Sequence, residues 1–325
     1  VTSRDVKNTF EMVLKSPPGF RSPRAAVYTP ISEMLTPDDT TIIFKFAFPW
    51  SSAFINLASP WNTIPPAKYP FRDIMNAPIG SGPVQVVKFI PGQLIEMEKF
   101  PDYFVPGRPY LDRVQFIVMV ELATRAAALR TKRALIEFRD MPPKVKDDIV
   151  RALGDKVGVQ ETGWSCLWDT AAQTQKPPTN NKLVRLALNY AIDHKLGSEV
   201  LFPLTGLKFP GTMIRFGSEW SLTWEELERL PSWEPDAKAR KERAKELLKE
   251  AGFPTGLKIV YKNRMIPNPY FDYANFLFDQ WRRVGIIAEQ QILETTPFYS
   301  AIRTGDLEVA VTFNCDAYDD PDRFY

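Results

Sequence analysis

Apolar and polar positions along the chain fall into short amphipathic runs whose period alternates between that of a helix and that of a strand. Residues 5–14, DVKNTFEMVL, read as a short helix with Ser3 or Asp5 as its cap, and Ser16, Pro17, Pro18 and Gly19 cannot continue it. A loop-rich region follows. Residues 40–48, TTIIFKFAF, come after the turn Pro37, Asp38, Asp39 and alternate well enough to predict a half-buried strand. SSAFINLAS predicts a short helix, and the proline-studded WNTIPPAKYP comes next. GSGP at residues 80–83 introduces a strand over residues 84–89, and the turn at Pro91 leads into LIEMEKF, which together predict a hairpin.

Farther along, residues 144–153 form a short amphipathic helix, and residues 157–168, VGVQETGWSCLW, read as extended. QTQKPPTNN at residues 173–181 is the best linker candidate. LVRLALNYAI at residues 183–192 has a helical period, with Arg185 and Asn189 one turn apart on the polar face. A charged helix over residues 236–251 is stopped by Gly252 and Pro254. A strand at residues 257–261, a helix at 271–284 and a last apolar run at 308–313 complete the pattern.

One stretch of this pattern returns. ELATRAAALRT at residues 121–131 aligns without a gap on ETTPFYSAIRT at residues 294–304, with identities at Glu121/Glu294, Ala128/Ala301, Arg130/Arg303 and Thr131/Thr304. Each copy follows a strand-like run, RVQFIVMV or GIIAEQQIL, and each leads into another apolar stretch. Strand, helix, strand used twice predicts two α/β lobes of related design, and two lobes imply a cleft.

Composition narrows the function classes. With 325 residues, 44% of them hydrophobic and 25% charged, the chain has material for about two domains with a sizeable core. The net charge of +2 gives no field to gather nucleic acid or an anionic membrane. No uncharged apolar run reaches the roughly eighteen residues of a membrane-spanning helix. The first residues, VTSRDVKNTFEMV, begin without Met inside a capping motif, and DDPDRFY ends in a turn-rich segment, so a fragment is expected. Two cysteines and the single His194 exclude a disulfide scaffold and His-rich metal sites, and no metal or cofactor is expected.

GSGP precedes a strand where a phosphate cradle needs a helix, so it reads as a tight turn with glycine supplying positive φ. Asp316, Asp319, Asp320 and Asp322 lack the calcium-loop spacing; a solvated turn around Pro321 accounts for Asp320 and Asp322, which leaves Asp316 and Asp319 at a strand end. His194, after Asp193 near a helix end, reads as an imidazole placed to favour the macrodipole. Trp164 and Trp168 share one face of an extended segment, placed either to stack on a ligand or to pack in the core.

The segments DVKNTFEMV, PDDTTIIFKF, IGSGPVQVVKFIPGQLIEMEKFPDYF, GRPYLDRVQFIVMVELATRAAALRT, NKLVRLALNYAIDHK, AKELLKEAGFPTGLKIV and VGIIAEQQILETTPFYSAIRTGDLEVAV, the last followed by YDDPDRF, together resemble one family. It is that of the extracytoplasmic solute-binding proteins of ABC importers, in the peptide- and nickel-binding class known as solute-binding protein family 5. The resemblance implies an α/β, two-lobed, periplasmic-binding-protein-like (type II) fold with an inserted extra domain, incomplete at both ends. It implies residues 1–77 as the tail of the inserted domain, 78–172 as a first-lobe segment with a hinge strand, and 173–325 as an incomplete second lobe. Such a piece expressed alone is expected to be poorly soluble, and a cooperative, monomeric melting transition would overturn that expectation.

Departures from the family pattern are specific. Val84 stands where an aromatic residue usually follows GSGP, and Ala317 stands where peptide-binding members carry an aspartate, with Asp316 one residue earlier. The first echo has Lys132 and Leu135 where the second keeps Gly305 and has Glu308. The resemblance also implies that the segments holding Cys166 and Cys315 cross near the cleft floor. A disulfide between them is therefore expected, provided their Cα atoms lie within about 7 Å.

The function implied is ligand capture, not catalysis. An oligopeptide-like or other amine-bearing solute enters an interlobe cleft, the lobes close by a hinge, and the solute passes to a membrane permease. Trp164, Trp168, Asn314, Asp316, Tyr318 and Asp319 are the candidate ligand-binding residues, with Asp316 suited to an amine. The protein is expected to be monomeric and periplasmic or cell-surface. The alternatives are a carboxylate hydrolase using Asp316 and Asp319, with its carboxyl groups about 5 to 10 Å apart, and a non-transport sensor on the same scaffold.

Overall fold

The structure is a computed structural model that describes residues 1–16, 22, 24–69, 73–74, 77–138, 141–161, 167–207, 214 and 216–314. The chain divides into two compact units, Val1–Met119 and Val120–Phe324.

In the first unit, α1 (Ser3–Leu14) is capped by Thr2, one residue before the expected Ser3. Asp5 closes the capping box, its Oδ2 accepting from the Thr2 amide at 2.6 Å. Its Oδ1 accepts from the Ala67 amide at 2.8 Å, and these backbone bonds hold its carboxyl below the usual range. Strand β1 (Ile31–Leu35) lies in the region expected to be loop, and it pairs antiparallel with β2 (Ile43–Phe46). A register shift between Ile31 and Glu33 breaks the alternation that would have announced β1. Phe10, Tyr28, Ile31 and Met34 form the small core here, and α2 (Ala53–Leu57) follows.

The predicted hairpin is present as β3 (Val84–Ile90) and β4 (Leu94–Lys99), with β5 (Arg113–Ile117) added in the order β3-β4-β5. A bend, not the expected hydrogen-bonded turn, precedes β3, and neither Gly80 nor Gly82 has positive φ, so the expected reason for those glycines fails.

The second unit holds α3 (Leu122–Arg130), α4 (Pro143–Leu153), β6 (Leu167–Ala172), α5 (Lys182–Tyr190), α6 (His194–Thr205), α7 (Trp224–Glu228) and α8 (Ala237–Glu250). After these come β7 (Leu257–Arg264), α9 (Asp272–Arg282), β8 (Ile286–Leu293), α10 (Thr295–Thr304) and β9 (Val309–Asn314). The sheet order is β6-β9-β7-β8, with β7 parallel to both β8 and β9 and β6 antiparallel to β9. Because β7 to β8 and β8 to β9 run in opposite directions across the sheet, right-handed crossovers place α9 and α10 on opposite faces.

Ala274, Leu277 and Trp281 of α9 recur on one helical face and are buried, packing with α5 and α8 residues such as Val184, Leu188, Ala244 and Leu248. Trp281 Nε1 donates to the Leu188 carbonyl at 3.0 Å, which satisfies the one polar atom of a fully buried indole. At the start of the sheet, Gly256 (φ +108°) sits against Gly285, so close that an added Cβ would lie 2.6 Å from the Gly285 carbonyl oxygen.

Strand β7 extends three residues beyond the predicted 257–261, because Lys262, Asn263 and Arg264 are polar while the ladder to β8 continues to Arg264 opposite Leu293. Asn263 is fully buried, its Nδ2 donating to the Tyr270 carbonyl at 3.1 Å. The candidate linker at residues 173–181 is fastened down: Gln173 N donates to the Glu308 carbonyl at 2.9 Å, Gln173 Nε2 to the Gly305 carbonyl at 2.9 Å, and Thr179 is buried.

The echo resolves unequally. The second copy is the predicted strand, helix, strand as β8, α10 and β9. The first has β5 and α3, one in each unit, and residues 134–138 after α3 form no strand. Leu135, Ile136 and Phe138 there are 86%, 77% and 78% exposed, whereas β9 gains its strand geometry from pairing with both β6 and β7.

His194 also departs from expectation. It opens α6 instead of closing α5, with Asp193 as the N-cap whose carboxylate accepts from Leu196 N at 3.1 Å. The imidazole stacks on Trp233 at 3.8 Å between ring centres, and burial with the Arg240 guanidinium nearby lowers its pKa to about 4. A charged ring at a helix N-terminus would also oppose the dipole.

Candidate functional site

Strands β7, β8 and β9 all end on one edge of the sheet, and β6, running the other way, begins there. Backbone pairing between β7 and β9 is confined to Tyr261 opposite Val309 and Lys262 opposite Ala310, although β7 continues to Arg264 and β9 to Asn314. The connections from β7 and into β9 leave on opposite faces, so this is the point where the winding reverses. In open α/β sheets ligands meet the strands' carboxyl ends at such a point.

Arg264 stands at this edge as the last residue of β7. Its Nη1 donates to the Tyr270 hydroxyl at 3.0 Å and its Nε to Thr295 Oγ1 at 3.0 Å. The guanidinium lies 5.6 Å from the centre of the Tyr270 ring and 5.3 Å from that of Tyr299. Two aromatic rings and two hydroxyls thus fix a cation that cannot be neutralised by deprotonation. Tyr270 is buried and its hydroxyl pKa is pushed up to about 12, while Tyr299 is 43% exposed.

Trp168, the second residue of β6, packs edge-on against Tyr270 at 4.6 Å and lies 6.3 Å from Tyr273. Thr170, on the same face, exchanges a hydrogen bond of 3.3 Å with the Tyr273 hydroxyl, which burial also raises to about 12. Asp169 points to the other face, where Thr312 Oγ1 donates to its Oδ1. Burial raises the Asp169 pKa to about 6. The edge therefore offers an anchored cation, aromatic surface and a carboxyl group within one unit.

Of the residues singled out from sequence, Trp168 lies at this edge, and Asn314 ends β9 opposite Leu167 in the ladder. Trp164, Asp316, Tyr318, Asp319, Cys166 and Cys315 lie outside the described residues. Arg264, Tyr270, Tyr299 and Asp169 were missed. The strand-end rule that singled out Asp316 and Asp319 would have found Arg264, had the polar Lys262, Asn263 and Arg264 been recognised as strand.

Two surface hollows lie elsewhere in the second unit. A groove of about 490 Å³ runs between α6 and α9, with apolar Val200, Leu201 and Leu204 facing Asn275, Asp279 and Arg283. A smaller hollow of about 260 Å³ includes His194, Trp224, Trp233 and Glu228. In the second, several polar groups already serve one another: Arg240 pairs with Asp193 at 3.3 Å, and Trp224 Nε1 donates to Glu228 at 2.7 Å.

A family model described as bacterial extracellular solute-binding proteins, family 5, middle region, matches residues 1–325. Heme-binding protein A of Haemophilus influenzae is 28% identical over 257 residues, 76% of this chain and 43% of its own length. A glutathione-binding protein GsiB of Pectobacterium atrosepticum is 31% identical over 246 residues, 74% of this chain and 45% of its own. The chain spans about half the length of the curated relatives it matches. Among solved structures, the periplasmic binding protein DppA of Helicobacter pylori in complex with the peptide STSA superposes with a TM-score of 0.80 at 26% identity, over 99% of this chain and 63% of that one. OppA of Haemophilus influenzae, in complex with RPPGFSPFR, has a TM-score of 0.75 at 18% identity over 98% of this chain and 66% of that one, a likeness of fold.

Proposed function

The chain belongs to the family 5 bacterial extracellular solute-binding proteins, and from that premise we propose that it captures an oligopeptide-like or other amine-bearing solute and delivers it to the permease of an ABC importer. Among the described residues no helix is long and apolar enough to cross a membrane. On this reading the protein works as a monomer in the periplasm or at the cell surface, and its role is binding without catalysis.

The observation that carries the reading is the sheet edge where Arg264 is held by Tyr270 and Thr295. Preformed polar anchors beside aromatic surface suit recognition of a solute in which apolar and charged groups alternate. Arg264 would take an anionic group, and Trp168 and Tyr299 would supply aromatic contact. Trp164, Asn314, Asp316, Tyr318 and Asp319 complete the proposed set, with Asp316 as an anchor for an amine. The names of the relatives, which include glutathione- and heme-binding proteins, support solute capture and leave the solute open. No observation among the described residues favours carboxylate hydrolysis by Asp316 and Asp319.

Segments 1–77, 78–172 and 173–325 remain our proposal for the domain plan. A Cys166–Cys315 disulfide belongs to the same proposal: the described ladder ends with Leu167 opposite Asn314, and the two cysteines are the next residue on each side. Thiol labelling of the denatured, unreduced protein tests the bridge, and two titratable thiols would rule it out.

The functional test is to identify the solute that co-purifies with the intact protein by mass spectrometry and to titrate it calorimetrically. Arg264→Ala is expected to weaken binding at least tenfold with an unchanged circular dichroism spectrum. Unchanged affinity in both Arg264→Ala and Trp168→Ala would sink the assignment of this edge as the site.

A further inference from the structure

At the sheet edge Asp169 carries a charge that no cation among the described residues offsets. On β6, Trp168 and Thr170 face α9, so Asp169 projects from the opposite side. It stands directly across the ladder from Thr312, whose hydroxyl donates to Asp169 Oδ1. Asp169 is half-buried, and among the described residues burial is what acts on its carboxyl, with no cation to counter it.

The neighbouring groups explain why. Tyr261 of β7 and Tyr273 of α9 are close enough to sense the Asp169 charge, but both are neutral phenols whose own ionisation burial suppresses. The two cations at the end of β7 are engaged elsewhere: Lys262 Nζ with Asp306 Oδ2 at 2.7 Å, and Arg264 with Tyr270 and Thr295. A carboxylate withdrawn from water with one neutral donor is costly unless something positive joins it. The register places Asp169 beside Thr312, two residues beyond the last β7–β9 backbone pair, where those strands part company.

We propose that Asp169 is an ammonium-binding subsite: it receives a primary amine of the solute, which supplies the counter-charge that none of the described residues provides. This rests on the solute-capture reading and deepens it, since it assigns the amine to β6 in addition to the Asp316 anchor. With its pKa near 6, the carboxyl is mostly protonated at pH 5 and mostly ionised at pH 7.5. Affinity for an amine should therefore rise about tenfold between those values. A buried acid with a purely structural role gives no such dependence.

The probe is ethylammonium chloride, titrated against the intact protein by thermal shift, with sodium chloride at equal ionic strength as the reference. The wild type should be stabilised by ethylammonium beyond sodium, with an apparent affinity about tenfold weaker at pH 5 than at pH 7.5. Asp169→Asn keeps the Thr312 acceptor and should remove the tenfold dependence of the response on pH between 5 and 7.5. The inference is overturned if ethylammonium protects the wild type no better than sodium, or if Asp169→Asn responds like the wild type. Tri-alanine binding by calorimetry is a separate arm. If the wild type binds tri-alanine with no ethylammonium response, solute capture stands and this subsite falls; an ethylammonium response without tri-alanine binding keeps the subsite and counts against an oligopeptide-like solute.

Discussion

Acidification should loosen the second unit through His194, and the size of the effect follows from its surroundings. The ring stacks on Trp233 at 3.8 Å, its Nε2 is sealed from solvent without a hydrogen-bond partner, and Arg240 lies beside it. Burial and the Arg240 charge favour the neutral form against the opposing pull of Asp193, and the pKa falls from 6.5 to about 4. The unfolded chain therefore binds a proton on this side chain below about pH 6.5, whereas the folded chain resists it until about pH 4. Stability from this residue is fully present above pH 6.5 and is lost progressively as the pH falls to about 4. A displacement of this size corresponds to at most about 3 kcal/mol, an upper figure because part of the ring is open to water.

His194→Phe keeps the stacked ring and removes the titration. Urea unfolding followed by tryptophan fluorescence, at a series of pH values between 7.5 and 4, should show the wild type losing stability relative to His194→Phe through that window. The difference between the two proteins should change by up to about 3 kcal/mol. Parallel pH profiles for the two would refute the argument, because they would mean that His194 gains a proton as easily in the fold as outside it.

Other outcomes follow from packing at single residues. Gly256→Ala should cost about 2 kcal/mol or more in the same urea assay, because φ is +108° and the new Cβ would meet the Gly285 carbonyl oxygen at 2.6 Å. Trp281→Phe should cost about 1–3 kcal/mol, since it leaves the Leu188 carbonyl without its buried donor and opens space against α5. Ala67→Pro should raise the Asp5 pKa in a carboxyl titration by removing the amide that acts most strongly on it, with little change if that bond is unimportant.

Local pattern determined the elements whose own side chains enforce them. The β3–β4 hairpin, α5, α8, α9 and β8 were all legible because their apolar residues recur at one period and recognisable turns or caps bound them, such as Asp236 accepting from Lys238 N and Ala239 N. The family too was legible, since it rests on ordered segments spread along the chain. What escaped were features set by neighbours distant in sequence. β1 is held by β2 across a bulge; the polar end of β7 is strand because β8 continues beside it; residues 134–138, as apolar as many strands, form none among the described residues.

The site divides in the same way. Sequence could name Trp168 and mark strand ends as places for chemistry, because residue type and alternation are local properties. That Arg264 is clamped by Tyr270 and Thr295, and that Asp169 lies half-buried with no cation beside it among the described residues, depends on which strands lie side by side and which faces their helices cover. Charge, burial and hydrogen bonding are properties of a neighbourhood, and the neighbourhood forms only when distant segments pack.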